Sequence, residues 1–123
     1  MNLTQATNFQ DLYNKKIKDK NLSLKTAYKF NKILQSIESD LKFFSTKYQE
    51  IISTYCVKDG QGVPVESDGT FQILGGKSKE CQGALNELYQ FEVEKPNVTF
   101  TIDELEGLDL TVLELQTLMP FIE

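Results

Sequence analysis

Residues 23–55 have the sequence SLKTAYKFNKILQSIESDLKFFSTKYQEIISTY, and this stretch decides the fold. Its apolar residues recur at spacings that alternate between three and four, which is typical of a heptad seam along one helix. The seam residues are Phe30, Leu34, Ile37, Leu41, Phe44, Tyr48 and Ile51. Ser23 is a suitable N-cap and Asp59-Gly60 supplies a break, so the sequence predicts one long helix over residues 23–56.

The seam needs a cover, because each large apolar side chain stabilises the fold by about 1.5–3 kcal/mol when it is buried. Residues 78–94 repeat apolar side chains at helical spacing and predict a second, shorter helix that packs antiparallel on the first. An N-terminal helical segment over residues 1–22 is the candidate cover for the rest. The alternative cover is another copy of the protein, which would make the long helix an interaction surface.

Residues 57–76 change to turn residues and short alternating runs, with Asp-Gly dipeptides as turn signals. The pattern predicts a small β-hairpin between the two helices, in which Pro64 marks an unpaired edge. Val65 and Phe71 are the residues of this hairpin that we expect to be exposed and available to a partner.

The sequence of residues 96–123 predicts a strand over residues 98–102, followed by a short helix. Thr111 and Glu114 have the spacing of a capping box at the start of this helix. The helix has too many apolar residues to lie free in water, so we expect it to be packed. These residues are Val112, Leu113, Leu115, Leu118 and Met119. We expect the closing Phe121-Ile122 to be tucked inwards, and the alternative is a short peptide anchor.

Together these segments predict a single, mainly helical α+β domain over residues 1–123. No apolar run approaches the roughly 20 residues that cross a bilayer. The start, Met1-Asn2-Leu3-Thr4-Gln5, lacks the basic and apolar regions of a signal peptide. We therefore expect a soluble, cytoplasmic protein without a membrane partner.

The charge is uneven along the chain, whose net charge is −5. Residues 1–32 carry seven Lys against two Asp, whereas residues 96–123 carry six carboxylates and no Lys or Arg. These ends could attract each other within one chain or between copies, or form a solvated surface. Asp103, Glu104 and Glu106 are the acidic candidates for contact with a basic partner. The lysine-rich start is too short and too diluted to favour nucleic-acid binding.

The chain has no histidine, which is the commonest general base and the commonest zinc ligand. The Asp-Gly turns lack the ligand pattern of a calcium loop. Gly76-Lys77-Ser78 lacks the first glycine of a P-loop, so we interpret it as a linker with Ser78 as an N-cap. We predict a protein that is not an enzyme, with no catalytic residue, no metal site and no cofactor. Cys56 and Cys81 are expected to be reduced and partly buried, and the alternative is a disulfide between them.

A set of short motifs is spread over nearly the whole chain. They are Asn2-Leu3-Thr4, LSLKTAYK at 22–29, Lys58-Asp59-Gly60, SDGTF at 67–71, Glu92-Val93-Glu94 and LTVLEL at 110–115. In this combination the chain resembles a family of small tailed-bacteriophage proteins that is often encoded near virion genes. The resemblance implies a phage origin and a location in the bacterial host cytoplasm or the virion. It implies no enzymatic activity.

Two functions of different classes agree with these features. The first is a virion or assembly accessory component, whose partner is another phage protein or a copy of itself. The second is an acidic inhibitor that binds a host or defence protein and mimics the phosphates of a nucleic acid.

Overall fold

Helices make up most of the protein. A computed structural model describes the backbone of residues 1–123 and every side chain except that of Ser67. The α-helices are α1 (Leu3–Leu12), α2 (Leu24–Tyr55), α3 (Ser78–Tyr89), α4 (Ile102–Leu105) and α5 (Val112–Leu118). A π-helical turn over Tyr13–Ile17 follows α1, and a 3₁₀ turn over Met119–Phe121 follows α5. None of the described helices is both long enough and apolar enough to cross a bilayer.

The long helix α2 has 32 residues and extends about 48 Å. It begins after Ser23, whose Oγ accepts a hydrogen bond from the Thr26 amide at 3.3 Å. This bond satisfies one of the amides that the first turn leaves unpaired. The predicted mainly helical fold with one long helix is confirmed.

The buried stripe of α2 differs from the heptad seam. Ile33 and Ile52 are buried although the seam omits them. Half-buried seam residues are Leu34, Leu41, Phe44, Tyr48 and Ile51, and fully buried ones are Phe30 and Ile37. A strict heptad row drifts by about 20° per heptad on a straight α-helix, so it leaves the core over this length. The spacing of Phe30, Leu41 and Ile52, eleven residues apart, follows the straight helix more closely.

The chain divides into two compact units, and α2 contributes to both. The first unit contains Met1–Leu41 and Glu92–Glu123, and the second contains Lys42–Phe91. Each unit is described by itself below. The single domain over residues 1–123 stays a prediction.

Four phenylalanines from separate segments form the centre of the first unit. Phe9 of α1 lies 6.0 Å from Phe30 of α2 and 5.3 Å from Phe121, measured between ring centroids. Phe100 lies 4.6 Å from Phe30. All four are at most 1% exposed, so Phe121 has the inward position that we expected.

Residues 98–102 do not form the predicted strand. Phe100 makes an isolated parallel bridge with Ile122, and its amide donates to the Phe121 carbonyl at 2.6 Å. The next residue, Thr101, is already the N-cap of α4, because its Oγ1 accepts from the Glu104 amide at 3.3 Å. The capping box ends the extended backbone before a ladder can form.

In the second unit, α3 runs antiparallel to the C-terminal part of α2. The ring centroids of Phe44 and Tyr89 are 5.6 Å apart, and Cys81, earlier in α3, lines a cavity with the later α2 residue Ile52. The helix ends at Tyr89, before the predicted end at residue 94. Its N-cap is Lys77, so the predicted cap at Ser78 is wrong by one residue.

The β-hairpin predicted over residues 57–76 is not supported. The strands β1 (Glu66–Ser67) and β2 (Thr70–Phe71) pair at two positions only. Outside them the backbone makes isolated bridges, Cys56 with Ile73 and Lys58 with Pro64. Because Pro64 has no amide hydrogen to donate, a regular ladder cannot continue through it.

Candidate interaction site

The acidic candidates Asp103, Glu104 and Glu106 lie in and just after α4, in the first unit. They border a cleft of about 630 Å³. The opposite wall consists of Lys20, Asn21, Leu22, Ser23 and Thr26, which precede α2 or open it. Asp103 and Glu106 are exposed at this cleft.

Glu104 has a different position, because its carboxylate is already bound. Lys29 Nζ lies 2.6 Å from Glu104 Oε1, and the Thr101 amide donates to the same oxygen at 2.9 Å. The Lys29 hydrogen bond, followed by the Thr101 amide, lowers the pKa of Glu104 from 4.5 to about 2. Glu104 therefore holds α4 against α2 and is not a free contact residue.

A second pair of the same kind opens α5. Lys16 Nζ lies 2.7 Å from Glu114 Oε1, and the Thr111 amide donates to that oxygen at 2.9 Å. The hydrogen bond from Lys16 is the main cause that lowers the pKa of Glu114 to about 2. The predicted capping box of Thr111 and Glu114 is confirmed. At these two pairs, the basic and acidic ends of the sequence attract each other within one chain.

Helix α5 is apolar on two sides, and only one of them is packed. Leu118 is fully buried and Leu115 is half-buried against the core. Val112 and Leu113 are 76% and 75% exposed, and Met119, one turn after Leu115, is 55% exposed. The helix is packed as expected through Leu115 and Leu118, but three of its apolar residues remain exposed. We call Val112, Leu113, Gln116, Met119 and Pro120 the α5 face.

These five residues form one continuous surface. With the following 3₁₀ turn treated as a continuation of the helix at 100° per residue, they cover an arc of about 120°. Leu118 lies opposite this arc, and Leu115 lies next to its Met119 edge. A groove of about 250 Å³ runs beside this arc, between α5 and α1. Its lining residues are Gln5, Asn8, Leu113, Gln116, Thr117 and Pro120.

The hairpin candidates Val65 and Phe71 are half-buried in the second unit. Phe71 lines a cavity of about 350 Å³ beside Tyr48, Ile52 and Cys81, so its ring faces inwards. The groups around this cavity favour their neutral forms, because burial is the main cause that raises the pKa of both Tyr48 and Cys81. Phe71 is therefore a packing residue rather than an exposed contact.

Two features of the described residues bear on metal and thiol chemistry, the acidic side chains and the two cysteines. No three side chains among the His, Cys, Asp and Glu residues described are grouped so as to hold a metal ion. Cys56 and Cys81 are both buried and both free thiols. The first unit presents an acidic cleft and an apolar helix face.

Comparisons with protein-family models, with curated proteins and with solved structures give no match to this chain. The resemblance to small tailed-bacteriophage proteins stays a prediction from the sequence.

The sequence interpretation did not identify the α5 face as a candidate site. The sequence feature that could have revealed it is the number of apolar residues in α5. A seven-residue helix that packs on one side only cannot bury that many. Among the acidic candidates, Thr101 stands three residues before Glu104, which is the same capping-box spacing as Thr111 and Glu114. That spacing could have assigned Glu104 to a helix start.

Proposed function

We propose that this protein acts by protein–protein contact and not as an enzyme, as an accessory component of a bacteriophage particle or of its assembly. The observation that carries the contact proposal is the exposed α5 face. The phage context is supported by the sequence resemblance alone.

The α5 face has the character of a contact surface. Burial of a Val or Leu side chain stabilises a complex by up to about 1.5–3 kcal/mol. Val112 and Leu113, which are about three-quarters exposed, stand next to each other. Single exposed apolar residues are normal on proteins, whereas a contiguous group on one helix marks an interaction site. A folded core holds the helix from behind, so the face is presented in a defined orientation.

The second candidate function is an acidic inhibitor of a host or defence protein. The observation that favours it is the exposure of Asp103 and Glu106 at the cleft. Two other carboxylates of the same segment, Glu104 and Glu114, are paired with lysines of this chain. A nucleic-acid mimic needs a dense array of free negative charge, and these pairs remove part of that array. We therefore place this function second.

Quantitative mass spectrometry of purified particles tests the proposal. The particles come from the phage whose genome encodes the chain, and infected cells provide the matched sample. A constant number of copies per particle is expected for an accessory component. Presence in infected cells and absence from particles and from assembly intermediates would contradict the proposal and would favour the inhibitor.

A further inference from the structure

We infer that Cys56 and Cys81 form a redox-sensitive pair, which closes to a disulfide within one chain when the protein meets a peroxide. The inference goes beyond the proposed function and does not depend on it, because both thiols belong to the second unit of the same chain. Both are free thiols in the structure, which is the reduced state of the pair.

The backbone directs both cysteines at the same small region. Cys56 continues the last turn of α2, since its amide donates to the Ile52 carbonyl at 2.8 Å, and it makes an antiparallel bridge with Ile73. Partners in such a bridge have Cα atoms about 4.5–5.5 Å apart. Cys81, in the first turn of α3, lines the cavity of about 350 Å³ together with these same two isoleucines. The two cysteines therefore share their neighbours.

Burial and charge also bring the two thiols together. Cys56 is 2% exposed and Cys81 is 3% exposed. Burial, followed by the charge of an ionised Cys56, raises the pKa of the Cys81 thiol. Charge effects between side chains are strong when the groups are about 4–6 Å apart, which is close enough for a small side-chain movement to join two sulfur atoms.

The cavity gives a small oxidant a route to one thiol of the pair. Ser78 and Gln82 line it and are exposed, so the cavity opens to solvent. Among the described residues Cys81 lines it and Cys56 does not. The Cys81 thiolate attacks one oxygen of hydrogen peroxide and the O–O bond breaks. The released hydroxide takes up the thiol proton as water, and Cys81 becomes a sulfenic acid.

The second thiol completes the reaction. The Cys56 sulfur attacks the Cys81 sulfur, the S–O bond breaks, and the hydroxyl leaves with the Cys56 proton as water. Two thiols are thus oxidised to one disulfide while one peroxide is reduced to two waters.

The disulfide would tie the end of α2 to the first turn of α3 and enclose the irregular segment 57–80. We expect this link to stabilise the second unit, because it restricts the unfolded chain. A reducing cytoplasm keeps the pair open, whereas the oxidising medium around a released particle favours the closed form.

Thiol counting by mass spectrometry tests the inference on the purified full chain. The chain is reduced, freed of reductant and treated with hydrogen peroxide, and the remaining thiols are blocked with N-ethylmaleimide in denaturant. We expect a monomer that takes up no maleimide, with the Cys56–Cys81 link in the non-reduced peptide map. The midpoint of thermal unfolding should rise by more than about 5 °C on oxidation and return with dithiothreitol.

Single substitutions identify the thiol that reacts first. Cys56→Ala should retain the sulfenic acid at Cys81, where dimedone traps it, and should show no thermal shift on oxidation. Cys81→Ala should take up at least about tenfold less dimedone, because the remaining thiol does not line the cavity.

The outcomes separate clearly. Disulfides between chains, free thiols after peroxide treatment of the unaltered chain, or a disulfide that leaves the thermal midpoint unchanged or lowers it would each overturn the inference. Equal dimedone labelling of the two variants would overturn the assignment of Cys81 as the first thiol to react.

Discussion

The two compact units contain parts of the same helix but bury them to very different extents. In the first unit, α2 contributes Phe30, Ile33 and Ile37 to a core in which each is at most 1% exposed. In the second unit, most apolar residues of α2 are half-buried, and a cavity of about 350 Å³ lies beside Ile52.

The difference comes from what surrounds the helix. In the first unit, α1, the segment around Phe100 and the closing residues around Phe121 all contribute to the core. In the second unit, α3 and an irregular segment with four residues in strands provide the cover. A heptad-like seam therefore specifies a helix. How deeply its apolar side chains are buried depends on how many other segments of the chain pack against that helix. The deep core also supports α5, which carries the proposed contact face.

The largest effect is expected from a charge in the deeper core. Ile37→Asp should destabilise the protein by more than about 4 kcal/mol, because an unpaired carboxylate would be buried where exposure is now 0%. Urea unfolding followed by circular dichroism measures the change. The control, Gln35→Asp on the exposed side of α2, should stay within about 0.5 kcal/mol. A folded and stable Ile37→Asp variant would show that this part of α2 is not a core element.

The same substitution made in both units tests whether their cores differ in packing. Ile37→Ala should cost about 4 kcal/mol and Ile52→Ala about 2 kcal/mol, because Ile37 lies within the core cluster whereas Ile52, although buried, borders a cavity. Both changes are made in α2 and alter helix propensity equally, so each controls for the other. Equal losses in the free energy of unfolding would contradict a difference in packing between the units.

A smaller, pH-dependent effect is expected at Glu104. Its pKa is lowered from 4.5 to about 2 in the folded protein, so the ionised form stabilises the fold above about pH 4.5. That contribution is lost as the pH falls towards 2. Glu104→Gln should therefore cost about 1 kcal/mol at neutral pH and almost nothing at about pH 2, as measured by urea unfolding.

The neighbouring carboxylate supplies the control for that experiment. Asp103→Asn removes an exposed charge from the same helix and should change stability by less than about 0.5 kcal/mol at either pH. If Glu104→Gln behaved like Asp103→Asn, the Lys29 contact would contribute nothing to the fold.

The smallest effect on stability is expected at the α5 face itself. Leu113→Asp should change the free energy of unfolding of the monomer by less than about 0.5 kcal/mol, because the side chain is already in water. Leu118→Ala on the packed side of the same helix should cost about 3 kcal/mol. Urea unfolding at low protein concentration measures both. Similar losses from the two variants would mean that α5 has no free face.

Much of the fold could be predicted from local signals. The apolar spacing of α2, its Ser23 cap and the capping box of Thr111 and Glu114 act within a few residues, and all three are present in the structure. The prediction of a strand over residues 98–102 is wrong. The β-branched and aromatic residues there favour a strand, but the capping box that begins at Thr101 starts a helix instead.

The site was harder to predict, because it depends on contacts between distant residues. Glu104 and Lys29 are 75 positions apart, so the sequence could not show that this carboxylate is paired. The apolar residues of α5 lie on two sides of the helix, and the sequence does not tell which side packs against the rest of this chain. Only the packing of Leu118 beside Phe121, Phe100 and their neighbours leaves Val112 and Leu113 outside.

The central claim is that the α5 face is the surface through which this protein makes contact. The most direct measurement is site-specific photocrosslinking in cells that produce the protein, with a benzophenone amino acid at position 113 and, as the control, at position 24. Both side chains are highly exposed apolar residues of the first unit. We predict a discrete crosslinked protein from position 113 and none from position 24. No adduct at 113, or equal adducts from both positions, would contradict the account.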